Sequence, residues 1–122
     1  MKTIDNLAVE FDNDQPDHRR ALIEALRADG LDVYEYHSGG GCMHVAVDLV
    51  NDKGGEDLFQ IATGSAASSC DVGLMGWNEN GNVQSRSWVQ TATLSEAVAV
   101  FQRFWGERNY WIAQFVSGNL DC

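Results

Sequence analysis

Leu7, Val9 and Phe11 fall on every second position of the chain, the period of a strand with one buried face, so Ile4–Phe11 is predicted to be a strand. Asp12-Asn13-Asp14-Gln15-Pro16 ends that alternation. Proline is tolerated in a first helical turn and Asp14 can accept from free backbone N–H groups, so a helix is predicted from here to about Asp29, stopped by Gly30. Leu22, Ile23 and Leu26 form its inward stripe; Asp17, Arg20, Glu24 and Arg27 fall outward. Strand periodicity returns over Leu31–His37 and Cys42–Val50, where Met43, Val45, Val47 and Leu49 alternate toward the core and Ser38-Gly39-Gly40-Gly41 makes the turn. Leu58–Thr63, Asp71–Asn78 and Asn82–Gln90 follow, the last two joined through Glu79-Asn80-Gly81, whose Asn-Gly pair suits a tight hairpin. Gly64–Ser69 is small and polar, a loop. From Leu94 the period becomes helical: Ser95-Glu96 opens a helix with Ala97, Val98, Phe101 and Trp105 on one face. Gly106 weakens it, and a further piece carries Tyr110, Trp111, Ile112, Phe115 and Val116. These elements predict an α+β fold, an antiparallel meander sheet of five to six strands covered by two or three helices.

A length of 122 residues fits one domain, 1–122, that can bury a core without metal or disulfide staples. The N-terminus lacks a basic and then apolar leader, and no run is long and apolar enough to span a bilayer, so a cytoplasmic protein without membrane contact is expected. Cys42, Cys70 and Cys122 are odd in number and widely spaced, which suits reduced thiols.

Charge changes this picture most. The formal net charge is −10, and the first 61 positions hold 13 of the 18 acidic residues but 5 of the 8 lysines and arginines. A field of that sign repels nucleic acid and anionic lipid and attracts basic surfaces, which argues against direct nucleic-acid binding. Charges on the outward side of the first helix partly cancel. The uncompensated acids lie in its flanks, Asp12 and Asp14 before it and Asp29, Asp32 and Glu35 after it, as candidate contacts for a basic protein surface. The bland alternative is that such acids only keep the protein soluble.

Reactive side chains gather in His37-Ser38-Gly39-Gly40-Gly41-Cys42-Met43-His44, where a hairpin brings His37 near Cys42 and His44. Cysteine and histidine on one face can ligate zinc or form a nucleophile with its base, yet a fourth ligand is missing and the acidic surroundings disfavour a thiolate. The three glycines precede a strand and no Gly-Lys-Ser/Thr follows, unlike a phosphate loop. Asn51–Asp57 misses the EF-hand spacing. No nucleophile elbow, dinucleotide fingerprint or kinase signature occurs, so no catalytic residue, metal or cofactor is nominated and a non-enzymatic role is expected. A small enzyme or ligand-binding domain centred on His37–His44 is the alternative. Phe101, Phe104, Trp105, Tyr110, Trp111 and Phe115 exceed what one helical stripe buries, which makes Tyr110 and Trp111 candidate apolar anchors for a partner or a homodimer, against a role in filling the core.

With its Gly-rich turns, and in segments such as Tyr36-His37-Ser38-Gly39-Gly40-Gly41-Cys42-Met43-His44 and Gly76-Trp77-Asn78-Glu79-Asn80-Gly81, this short acidic chain resembles the small accessory proteins of bacteriophages and mobile elements, among them anti-CRISPR and other anti-defence inhibitors. The resemblance implies a partner with a basic surface, a nuclease or a CRISPR or other defence complex, and binding by mimicry of nucleic acid. It assigns no residue. Acidic immunity proteins that neutralise basic toxins look similar for the same electrostatic reason.

Overall fold

The computed structural model describes residues 9–39, 42–52, 57–64, 71–77, 83–91 and 93–117. In chain order the elements are α1 (Pro16–Ala28), β1 (Tyr34–Gly39), β2 (Cys42–Asp52), β3 (Asp57–Thr63), β4 (Asp71–Trp77), β5 (Val83–Gln90), α2 (Leu94–Gly106) and α3 (Arg108–Val116). The strands pair antiparallel in the order β1-β2-β3-β4-β5, and the fold class is α+β. The turns expected at Gly40-Gly41, Glu79-Asn80-Gly81 and residues 65–69 lie outside the described residues.

Of the expected opening strand, Ile4–Phe11, only the end is described. The rest lies outside the described residues, and Val9–Phe11 contributes an isolated bridge, Glu10 to Thr93, while the Leu94 N–H donates to the Val9 carbonyl at 3.0 Å. This pins the start of α2 to the segment before α1 and leaves Phe11 fully buried.

Helix α1 ends as predicted. Gly30 takes φ +88°, the Leu31 N–H donates to the Leu26 carbonyl at 3.0 Å and the Gly30 N–H to the Arg27 carbonyl at 3.0 Å, the paired bonds of a Schellman cap. Its start is built differently: the cap residue is Gln15, without a side-chain bond, and Asp12 Oδ1 accepts the Asp14 N–H at 3.0 Å to set the turn before Pro16. Helix α2 starts at Leu94 because Thr93 Oγ1 accepts the Glu96 N–H at 3.1 Å.

Residues directly opposite across an antiparallel ladder share a face. Val45, Val47, Val50, Phe59, Ile61, Val72, Leu74, Gly76 and Val89 therefore line one side. Six of them join Leu22 and Leu26 of α1 and Leu94, Ala97, Phe101 and Phe104 of α2 in the core. Met43 and Leu49 stay half-buried, and a register shift between Asp48 and Val50 lets Val50 resume the core side. In α2 the buried position is Phe104 rather than Trp105, whose ring carries the Arg108 guanidinium 4.5 Å from its centroid. Helix α3 packs by Phe115, stacked on Phe59 at 4.8 Å and 5°. Gly76 permits this: a methyl group there would lie 2.7 Å from Phe115 Cε1.

At one end of the sheet β2 and β3 part, and side chains replace the ladder. Thr63 Oγ1 accepts the Val45 N–H at 2.9 Å, and His44 Nδ1 lies 2.8 Å from the Thr63 carbonyl, which requires a proton on Nδ1. Asn13 Nδ2 donates to the Met43 carbonyl at 2.8 Å and the Gly64 carbonyl at 3.1 Å, tying the segment before α1 to both strands.

Candidate functional site

Each arginine of α1 is engaged by something other than the flanking aspartates. Arg19 is drawn into the structure with 8% of its side chain exposed, donating Nε to Glu35 Oε2 at 3.1 Å and Nη1 to the Asn13 carbonyl. Arg20 lies 3.8 Å from Asp17 in an exposed pair one turn away, worth little in energy. Arg27 donates Nε and Nη2 to the Val33 carbonyl at 3.2 and 3.0 Å. These contacts lay the start of β1 against α1 and fix where the acids fall.

Asp12 and Asp14 sit at the amino end of α1 and Asp29 and Asp32 beyond its carboxyl end. The 13-residue helix separates the two pairs by about 20 Å at 1.5 Å per residue. Asp14, Asp29 and Asp32 are exposed and Asp12 is half-buried. Among the described residues none of the four forms an ion pair. Asp29 Oδ2 accepts from Gln102 Nε2 of α2, a neutral donor that leaves the carboxylate charge in place. The Asp12 N–H donates to His18 Nδ1 at 2.9 Å, which needs that nitrogen unprotonated. Glu35 stands apart from the other four, because Arg19 neutralises it.

The two histidines of the hairpin do not converge. His37 pairs with Met43 and Tyr36 with His44, so the two histidines lie on opposite faces of the sheet; the register shift between His37 and Gly39 belongs to the same turn. The Cys42 side chain lies outside the described residues. Among the described residues no group of three or more His, Cys, Asp or Glu could hold a metal. Among the described residues no helix is long and apolar enough to cross a membrane.

The aromatic candidates divide. Tyr110 is 60% exposed, whereas Trp111 is half-buried, edge-on to Phe104 at 6.0 Å, with its Nε1 donating to Glu107 Oε1 at 3.1 Å. Trp111 thus holds α3 to α2, and Tyr110, 5.0 Å from it, is the outward member.

A second cluster escaped the sequence pattern. On the sheet face opposite the core, Tyr34 lies across from Ala46 and Asp48 across from Gln60. The Tyr34 hydroxyl donates to Asp48 Oδ1 at 2.6 Å and accepts from Gln60 Nε2 at 2.6 Å; Gln60 Nε2 also reaches Asp48 Oδ1 at 3.1 Å. The Tyr36 hydroxyl donates to Gln60 Oε1 at 3.3 Å, and its ring stacks on His44 at 5.0 Å. Both rings therefore lie over the sheet toward β3, which explains how Ala46 and Gln60 are buried on that side. Tyr34 and Tyr36 alternate with Glu35 and His37, a period-two signal for this face; their partners on β2 and β3 depend on register.

Burial and then the Asp48 carboxylate push the Tyr34 hydroxyl well above the ordinary phenol range, and the same causes in the same order raise Tyr36. Below about pH 10 both hydroxyls are protonated whether the chain is folded or not. Above it the unfolded chain releases protons that the folded one keeps, so stability present below that pH is lost as the pH rises toward the folded values. Chemical denaturation at stepped alkaline pH is expected to show that decline, reduced in Tyr34→Phe; a pH-independent midpoint through the tyrosine range would contradict it.

Comparison with known proteins gives no matching family model, no matching curated relative and no matching solved structure.

Proposed function

We propose that this chain is a non-enzymatic binding protein that docks on a basic surface of a partner protein through the carboxylates flanking α1. One observation carries the reading: Arg19, Arg20 and Arg27 are engaged with Glu35, Asp17 and the Val33 carbonyl, so Asp12, Asp14, Asp29 and Asp32 keep their charge at the two ends of a rigid helix. Carboxylates held apart on a fixed scaffold fit a surface that presents several cations, and a groove built for phosphates is such a surface. The proposed partner is accordingly a nucleic-acid-handling protein, a nuclease or a defence complex, and the action is occlusion of its groove, as in an anti-defence inhibitor of phage type. Tyr110 would supply an apolar contact at the rim. An immunity protein against a basic toxin would use the same surface.

Charge-led docking weakens with salt because exposed charges are screened beyond about 10 Å at 0.1 M ionic strength. Immobilised protein should retain a basic nucleic-acid-handling partner from host extract at low salt and release it early in a salt gradient. The variant D12N/D14N/D29N/D32N should fail to retain it. Retention that survives high salt, or that this variant keeps, would overturn the proposal.

A further inference from the structure

We infer that the sheet face opposite the core carries a second binding site, formed by Tyr34, Tyr36, Asp48 and Gln60, that receives an arginine side chain of a protein partner. The site lies on the sheet side away from the core helices. It is a different surface from the aspartates around α1 and is inferred from different residues.

Three features select that occupant. First, Asp48 is a half-buried carboxylate that forms no ion pair among the described residues; its neighbours on this face, the Tyr34 hydroxyl and the amides of Gln60 and Asn51, are neutral donors. Oδ1 accepts from Tyr34 and Gln60 and Oδ2 accepts from Asn51 Nδ2 at 3.0 Å, so Oδ2 keeps one lone pair for a further donor. Second, the rings of Tyr34 and Tyr36 stand 5.9 Å apart beside this carboxylate, their orientation held by hydroxyl bonds to Asp48 and Gln60. Two oriented π faces next to one negative charge attract a cation, and a planar guanidinium both stacks on such rings and donates to the carboxylate. An ammonium makes the charge contact but loses the stacking. Third, the geometry exists before a ligand arrives. Gln60 is 1% exposed and donates to both Tyr34 and Asp48, so little side-chain freedom is left to lose on binding. The same arrangement disfavours an anion, which would face an unpaired carboxylate.

The test is a titration of the full chain with ethylguanidinium as probe, followed by two-dimensional NMR, with ethylammonium in parallel. The site predicts saturable shifts at Tyr34, Tyr36, Gln60 and Asn51, several-fold tighter for the guanidinium. Asp48→Asn should weaken binding about tenfold, the loss of one charge-assisted contact. Tyr36→Leu keeps the carboxylate and should cost several-fold while bringing the two cations closer in affinity. Thermal melts check that both variants fold, and should Asp48→Asn unfold, Tyr36→Leu alone decides. Shifts confined to Asp12, Asp14, Asp29 and Asp32, equal responses to the two cations, or an unchanged response in a folded Asp48→Asn would overturn the inference. The variant D12N/D14N/D29N/D32N should bind the probe as the native chain does, so failure of the α1 docking surface and failure of this site are separate outcomes.

Discussion

Phe104→Ala is expected to lower the unfolding free energy by about 3–5 kcal/mol, a large part of the roughly 5–15 kcal/mol typical of a domain. Phe104 is fully buried within the cluster that joins α1, α2 and the sheet, so truncation removes its transfer energy and leaves a cavity. It is also the ring against which Trp111 sets its edge, so the loss extends to the seating of α3. Urea denaturation measures the first effect, and the near-ultraviolet circular dichroism of the tryptophans reports the second. Tyr110→Ala, next to Trp111 in α3 and outward-facing, is expected to change stability by less than about 0.5 kcal/mol. A cost below about 1 kcal/mol for Phe104→Ala would mean that α2 does not seal the core as described.

The second large effect concerns association. Asp12→Lys with Asp14→Lys inverts the charge at one end of α1 and should slow encounter with a basic partner by about tenfold or more at low ionic strength, with a much smaller change in dissociation. The asymmetry follows from range: the exposed Asp14 and half-buried Asp12 carboxylates act on an approaching partner across water, whereas dissociation is governed by packed contacts that these side chains do not supply. Glu35→Gln is the internal control. Its carboxylate already serves Arg19, so the association rate should stay within about twofold of native while stability falls by about 1–2 kcal/mol, less than for a fully buried pair because the Glu35 side chain is 35% exposed. Stopped-flow association and urea denaturation of the same variants separate the two roles. Equal slowing by Glu35→Gln would point to net charge alone and not to the α1 flanks.

Local rules carried the sequence reading where structure is local. Gly30 after a helical stripe specifies the Schellman cap, and alternation together with the intervening turn residues places β1 to β5 to within a few residues, because both depend on neighbours in the chain. Errors arise where a distant partner decides. Of the predicted Ile4–Phe11 strand, Glu10 bridges Thr93, some eighty residues on in the chain, a partner that alternation cannot locate. Trp105 and Phe104 are adjacent, and here the deciding signal is local: Phe104 continues the stripe of Leu94, Ala97 and Phe101 at helical spacing. Arg19 sits beside outward charges in the helical pattern, yet the Asn13 carbonyl and Glu35 give its guanidinium a partly buried seat. That one contact takes Glu35 out of a set of five acids that look equivalent in sequence. His37 and His44 seemed neighbours across a hairpin, but the ladder sets them on opposite faces. The Tyr34, Asp48 and Gln60 cluster spans three strands, so period-two alternation finds its tyrosines and only register finds the rest.

The most direct measurement is the association rate with a basic partner recovered by salt-sensitive capture, followed from low to moderate ionic strength for the native chain and for D12N/D14N/D29N/D32N. Docking through the α1 flanks predicts a steep fall with salt for the native chain and a nearly flat, slower line for the variant, the two meeting at high salt. Parallel lines of equal slope would contradict it, since the salt dependence would then arise elsewhere on the molecule.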